Sequence, residues 1–298
     1  MTAIIEKRLN DKNNHKEEYE TNNIFEEIFD FIFVPILNSF PKSLKNFVRN
    51  SHKSASDVIE HKTSHKALEV LYNNGHNPEE KGLIKKIFQK IWFNRNNSKA
   101  VRNRLKAVKR ELYNHAEKTL NKSDELRVFS IASGSARAVV ETLSNLYIPE
   151  TKKIYVSFLD KNPEAIEYSK EKVNQISFDK NFNFNWCVDT ASSFPSYCSN
   201  KKQDIIEMVG LLDYFTDEKV VNIFKSIYEH LNDGGILITA NIDDNKERKF
   251  VTNFIDWNMI YRNGSDLKRL AIEAGFDKNK IKIFYEPLKI HAILVAEK

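Results

Sequence analysis

The chain has 298 residues, a formal net charge of +5 and 41% hydrophobic residues. That length can bury roughly three quarters of its unfolded surface in one or two domains, and so modest a charge does not decide for or against an anionic partner. Two cysteines, Cys187 and Cys198, are too few for a disulfide framework and follow no metal-ligand spacing, so a reducing cytoplasm is expected.

The start, MTAIIEKRLNDKNNHKEEYE, is polar and charged. Residues 1–20 are expected to be a flexible N-terminus, neither signal peptide nor membrane anchor. Ile24 to Leu37 is apolar-rich but broken by Glu26, Glu27, Asp30 and Pro35, too short and too charged to cross a bilayer. Ile24, Phe25, Ile28, Phe29, Phe31 and Ile32 predict a helix with an apolar face, which Pro35 kinks or ends. SASDVIEHKTSHKALEVLYNNG reads as one or two helical turns ending at Gly75, and PEEKGLIKKIFQKIWF and SKAVRNRLKAVKRELYNHAEKTL as two more helices. Residues 21–120 therefore read as an all-helical domain, either a stabilising appendage or a substrate lid that excludes water. The aromatic residues of 24–40 would pack in its core or line an apolar acceptor site.

The segment 95–122 carries Arg95, Lys99, Arg102, Arg104, Lys106, Lys109 and Arg110. Such a cluster could neutralise nucleic-acid phosphates, or an anionic acyl chain or carrier protein. Val101, Leu105, Val108 and Leu112 give the helix one buried face, which leaves Lys and Arg as its solvated side. His61 and His65 lie four apart, a spacing that can hold a metal. HKTSH offers no third ligand, so both are read as surface histidines and no metal is assigned.

VFSIASGSARAVVETL (128–143) followed by KKIYVSFLDKNP (152–163) reads as strand, small-residue loop, helix and strand, with Asp160 at the second strand's end. This is the front of a nucleotide-binding βαβ unit. The loop has a single glycine, Gly134, where a dinucleotide fingerprint wants three. Ala132 and Ala136 can replace glycines needed for closeness but not those needed for positive φ. Gly134 should therefore sit against the ligand, and Asp160 should reach ribose hydroxyls. Asn162-Pro163 opens a helix, FNFNWCVD (182–189) is a strand ending in Asp189, and DIIEMVGLLDYFTDE (204–218) is a buried strand followed by Gly210 and a helix start. That helix should end at a cap and turn, Asn232-Asp233-Gly234-Gly235. ILITANI is the next strand, SDLKRLAIEAG a capped helix, and KIKIFYEP with HAILVAEK a tight final pair that must be antiparallel. The fold class is thus α/β: a Rossmann-like, seven-stranded, mostly parallel sheet with an antiparallel C-terminal strand over residues 121–298.

VFSIASGSARAV, Asp160, VGLLDYF and LNDGGILITANI together resemble the class I S-adenosylmethionine-dependent methyltransferases. IASGSAR, FLDKNPEAIEYS, GLLDYFTDE and DWNMIYRNGSDLKRLA look like the bacterial methyltransferases that make 3-hydroxy fatty acid methyl ester signals. The sequence departs at Ser130, where the superfamily usually has an acid, and at Ala132, where it usually has Gly. The resemblance implies S-adenosylmethionine as cofactor. It would be held by Ser130, Ser133, Gly134, Ser135 and Arg137 at the loop, by Asp160 with Lys161 and Asn162, by Asp189 and Thr190, and by Gly210. A small apolar acceptor would enter beyond Leu211–Phe215, against Tyr214, Asn241, Trp257, Tyr261 and Arg262. For a carboxylate acceptor no base is needed; Arg262 would orient it, with Tyr214 and Tyr261 as hydroxyl donors. For a hydroxyl or amine a base is required, and Asp213 and His291 are the candidates. The alternatives are an RNA or tRNA methyltransferase using the basic helix, and a non-catalytic adenosine-ligand module with a decayed loop.

Overall fold

The computed structural model describes residues 18–39, 65–73, 93–198, 201–253 and 255–298. Its centre is a seven-stranded sheet ordered β3-β2-β1-β4-β5-β7-β6. The strands are β1 (Glu125–Ile131), β2 (Lys153–Asp160), β3 (Phe182–Val188), β4 (Gln203–Val209), β5 (Leu231–Ile242), β6 (Ile281–Tyr285) and β7 (His291–Glu297). β1 to β5 pair in parallel, and β7 inserts antiparallel to both β5 and β6. The apolar runs Phe129 to Ile131 and Ile205 to Ile206 are buried, as expected where helices cover both faces of a parallel sheet. The strand order reverses between β1 and β4, which opens a crevice at their carboxyl ends.

The helices are α1 (Ile24–Asn38), α2 (His65–Tyr72), α3 (Asn96–Leu120), α4 (Arg137–Ser144), α5 (Pro163–Asn174), the single turn α6 (Phe194–Tyr197), α7 (Asp217–His230), α8 (Arg248–Asn253) and α9 (Gly264–Glu273). Local chemistry sets several starts. Asn162 caps α5 by accepting from the Glu164 amide at 3.0 Å, with Pro163 in the first turn. Asn263 and Asp266 form a reciprocal capping box at α9.

Three expectations fail. The Lys and Arg of α3 are not all on its solvated side, although Arg110 is exposed. α3 packs on β1, β4, β5, β7 and α4, and Lys99, Arg102 and Arg104 are buried with it. Lys99 Nζ meets Glu26 at 2.9 Å, and Arg102 meets Glu20 at 2.7 Å. The turn expected at Asn232–Gly235 lies inside β5, which starts directly after α7. A register shift against β4 absorbs it, with Gly234 at φ +78°. The aromatic residues of α1 line neither cavity: Phe25 is 84% and Phe31 79% exposed, while Phe29 and Phe33 stack beneath the Arg95 guanidinium. α1 instead docks by polar contacts, notably Asp30 with Arg95 at 2.6 Å.

His61, residues 1–17 and most of the helix expected over PEEKGLIKKIFQKIWF lie outside the described residues. Cys187 and Cys198 are buried free thiols. Among the described residues no helix is long and apolar enough to cross a membrane, and no group of three His, Cys, Asp or Glu could hold a metal.

Candidate active site

A cavity of about 570 Å³ opens along the carboxyl ends of β1, β2, β3 and β4. A second, of about 50 Å³, adjoins it at Ala132, Gly134, Arg104 and Val209. Both sit where the strand order reverses, the usual ligand crevice of an open α/β sheet.

The loop after β1 turns through three left-handed residues: Ala132 at φ +53°, Gly134 at +54° and Ala136 at +56°. Two alanines therefore hold the conformation expected of glycine alone. The Ser133 amide donates to the Leu159 carbonyl, and the Gly134 amide donates to Asp160 Oδ2 at 2.9 Å. Asp160 Oδ1 accepts from the Asn162 amide at 2.9 Å. The glycine bend and the acid ending β2, twenty-six residues apart, thus meet directly on the cavity wall.

Lys161, Asp189, Thr190 and Gly210 also line the large cavity. The Asp189 carboxylate accepts from the Thr190 amide, the Ser193 hydroxyl and the Tyr197 hydroxyl, and these bonds hold its pKa below the usual carboxylate range. Ser133, Ser135 and Arg137 line the small cavity. Among the described residues the buried Ser133 hydroxyl has no hydrogen-bond partner. Arg137, however, is engaged by Glu141 and by Asn73 at the end of α2. Asn162 serves as a helix cap and is not on either wall. Ser130 is fully buried in β1; its hydroxyl donates to Glu207 Oε2, directly opposite on β4.

The other end of the large cavity is apolar, with Phe250, Val251, Ile255, Trp257 and Met259 on it. Tyr214 stands there with its oxygen accepting from the Trp257 indole at 2.6 Å, and burial pushes its pKa up to about 12. Asp213 accepts from the Ile242 amide at 2.9 Å; burial raises its pKa, and Arg104 and Arg262 pull it back. His291 lines the cavity with its buried Nδ1 unpartnered among the described residues, and burial drives its pKa well below 6.5.

Arg262 does not face the cavity. Its guanidinium is spent on Asp217 at 2.8 Å, the Leu212 carbonyl at 2.9 Å, Asn241 Oδ1 at 3.1 Å and the Phe215 carbonyl at 2.5 Å. Asn241 is likewise consumed, donating to the Ile242 and Ile260 carbonyls. Tyr261 is off the cavity lining, with Arg248 over its ring. The network holds the loop after β4, and so places Tyr214, but offers the acceptor nothing.

Two residues stand where the sequence pattern does not put them. His65 is buried on the wall of the large cavity, with its Cβ 3.5 Å from where a Gly134 side chain would start. Arg104, 3% exposed, lines both cavities, its Nη2 close to Gly210 and its Nε unpartnered. A signal for Arg104 exists: it falls three residues after Val101 and four before Val108, a cation on the apolar stripe. Glu207 is similar, an acid interrupting the buried strand DIIEMV.

The architecture and the sequence both have relatives. A protein from Bordetella parapertussis titled a possible exported protein is similar at TM-score 0.59, with 16% identity over 79% of each chain. The magnesium protoporphyrin IX methyltransferase of Synechocystis PCC 6803 with bound SAH is similar at TM-score 0.52, with 11% identity over 83% of this chain and 100% of that one. The CMeT domain of the citrinin polyketide synthase gives 0.50, with 13% identity over 80% and 65%. At such identities the likeness shows the fold alone. No curated protein sequence matches the chain. The family model described as "Putative methyltransferase" matches residues 60–298, which takes in both cavities and every strand of the sheet, and the chain belongs to that methyltransferase family.

Proposed function

We propose that the protein moves a methyl group from S-adenosylmethionine to a small apolar acid, with the carboxylate of a 3-hydroxy fatty acid as favoured acceptor. One observation carries this reading: a single cavity joins the Gly134–Asp160 contact at one end to an apolar wall with a tyrosine hydroxyl at the other. A structure of similar fold holding SAH supports the choice of cofactor.

Buried polar groups left open on the walls, Ser133 Oγ and Arg104 Nε, fit a ligand that brings its own hydrogen-bonding atoms. Asp160 would take the ribose hydroxyls through its remaining acceptor capacity. When bound, the cofactor's sulfonium supplies an electrophilic methyl. The chain's task is alignment and exclusion of water. A carboxylate acceptor is already ionised near neutral pH and needs no base. Tyr214 keeps its proton at any working pH, because its pKa is pushed up to about 12. Its oxygen already accepts from Trp257, so its own O–H is available to orient the acceptor. With Arg262 committed elsewhere, Lys219 is a cation on the same lining, 3.8 Å above the Phe215 ring.

A hydroxyl acceptor is the second reading: it requires a base, and His291 on the cavity lining is the candidate, kept neutral by a burial that also weakens it as a base. The RNA reading loses its footing, because Lys99, Arg102 and Lys109 of α3 are spent on internal carboxylates. Incubation with methyl-labelled cofactor and 3-hydroxy acids of graded chain length tests the proposal. Label in the lipid extract that mild alkali releases identifies an ester. Alkali-stable label identifies an ether and the second reading. No label in any acid, from protein that binds the cofactor, would overturn the acceptor assignment.

A further inference from the structure

Seven of the eleven large apolar side chains that stand exposed among the described residues lie on α1. Successive helical residues are about 100° apart, so these seven fan over about 160° of the helix circumference, from Phe31 on one side to Phe29 on the other. Of the apolar side chains described on α1, only Val34 is buried. The acids face the protein instead. Asp30 meets Arg95 at 2.6 Å and Glu26 meets Lys99 at 2.9 Å, and a reciprocal Asn23–Glu26 pair caps the helix start. Asn38 ties the other end to the beginning of α8, donating to the Lys246 carbonyl at 2.9 Å and accepting from the Phe250 amide at 2.8 Å. Arg95 and Phe250 both line the large cavity, so α1 is fastened to the back of its wall. A contiguous apolar surface of this kind, held outward by polar anchors, marks an interaction site.

The width of the arc points to the partner. A second helix would meet a narrow seam, whereas a continuous apolar medium wets every direction on the arc. A second copy of the chain would find a seam about 22 Å long on this 15-residue helix. That is too short for the roughly 800 Å² per partner that a stable interface covers. The flank carries a charge that suits anionic lipid. Lys246 and Lys249 are exposed beside the Asn38 end, and Arg248 between them is paired with Asp244. Glu27, the exposed acid of α1, stands outside the arc. We propose that α1 lies in the headgroup layer of an anionic bilayer, its apolar arc facing the acyl chains and Lys246 and Lys249 on the lipid phosphates. Such a helix rests on a membrane and does not span it. The docking itself stands on α1 and its flank. What it delivers rests on the acceptor reading above: a long-chain acid dissolves in the same bilayer, and α1 brings the cavity wall beside it.

The test is co-sedimentation of the full chain with vesicles of phosphatidylcholine, alone or with about one quarter phosphatidylglycerol. At low salt wild-type protein should bind the mixed vesicles at least about tenfold more tightly than the neutral ones. Phe25→Asp combined with Phe31→Asp should lose at least about tenfold on the mixed vesicles. Lys246→Glu combined with Lys249→Glu should bring binding down to about the level of the neutral vesicles. A urea midpoint matching wild type shows that each variant is folded. No binding of wild-type protein to either vesicle, or undiminished binding of the Phe25→Asp, Phe31→Asp variant, would overturn the proposal. So would a wild-type dimer that the same pair of substitutions splits, because the face would then belong to a second copy. Delivery is read separately. Methylation of a long-chain 3-hydroxy acid supplied in mixed vesicles should fall at least about fivefold in that variant, and methylation of a water-soluble short-chain acid should stay within about twofold. Equal rates of the two proteins on the long-chain acid would overturn the delivery role. No methylation of any acid by wild-type protein would be a failure of the acceptor reading, with the docking surface decided by sedimentation alone.

Discussion

Arg104 and Arg262 are buried to the same degree, each 3% exposed, and stand in opposite states. Arg262 sits behind the loop after β4 with its donors spread over a carboxylate, two carbonyls and an amide oxygen. Arg104 stands at the junction of two cavities with a donor unsatisfied. A buried cation whose donors are all taken is part of the scaffold, because its desolvation is already offset. One left incomplete on a cavity wall is offset only when a ligand arrives. Saturation of the partners, rather than burial or charge, separates the two.

The largest expected effect breaks that contrast if it fails. Arg262→Met takes the donor from Asn241 and two carbonyls, while Asp217 keeps Arg269 at 2.6 Å, and should cost about 2–4 kcal/mol of unfolding free energy. Arg104→Met removes a buried cation that no carboxylate pairs among the described residues, and should change stability by less than about 1 kcal/mol. Urea unfolding of both variants reads the difference. Similar losses would mean that the two arginines do the same work.

The next effect is on binding. Asp160→Ala removes a carboxylate placed for two hydroxyl hydrogen bonds and also releases the Gly134 and Asn162 amides. At about 1.5–2 kcal/mol for each charged bond, S-adenosylhomocysteine affinity should fall roughly 100-fold to 1,000-fold. Unchanged affinity would remove the cofactor end of the site altogether.

A pH profile sharpens the account of Glu207. Its pKa rises from an ordinary 4.5 to about 7 in the fold. The protonated form is the one the fold favours, so its stabilising contribution is complete below pH 4.5 and is lost as pH climbs through 7. The rise corresponds to at most about 3 kcal/mol. His115 acts with the opposite sign. Burial lowers its pKa to about 4, so its contribution is present above pH 6.5 and lost as pH falls toward 4. The difference between wild type and Glu207→Gln cancels His115. The variant should gain stability relative to wild type as pH rises from 4.5 to 7.5 in the absence of ligand. A flat difference curve would show that Glu207 is already compensated in the fold.

Legibility divides along the same line as the two arginines. The sheet, the antiparallel end and the meeting of Gly134 with Asp160 follow from local signals: apolar runs, one glycine in a short loop, an acid closing a strand. Each depends on a few neighbouring residues or on adjacent strand ends. The acceptor end does not work that way. Whether Arg262 faces a substrate or Asp217 is decided by residues forty-five positions away, and spacing carries no trace of it. α1 shows the same limit: its aromatic periodicity announces a helix but not what the helix meets. The breaks in pattern are legible as well: a cation within the Val101–Val108 stripe and an acid within DIIEMV both violate local consistency, and both line the small cavity.

The smallest expected effect concerns the loop itself. Ala132 holds φ +53°, a conformation that costs a residue with a Cβ about 1–2 kcal/mol. Ala132→Gly relieves that strain but adds about 0.5–1 kcal/mol of freedom to the unfolded chain. The net gain should be about 0.5–1 kcal/mol, measured by the same urea unfolding. Gly134→Ala is the mirror experiment. Its new methyl would lie 3.5 Å from His65 Cβ, an ordinary contact, so the loss of about 1 kcal/mol comes from φ +54° and not from a clash. Opposite signs at positions 132 and 134 would show that the left-handed geometry, rather than room for the ligand, governs which residue each position prefers. Were both substitutions destabilising, the bend would depend on the Ala132 methyl as a packing element of the cavity wall.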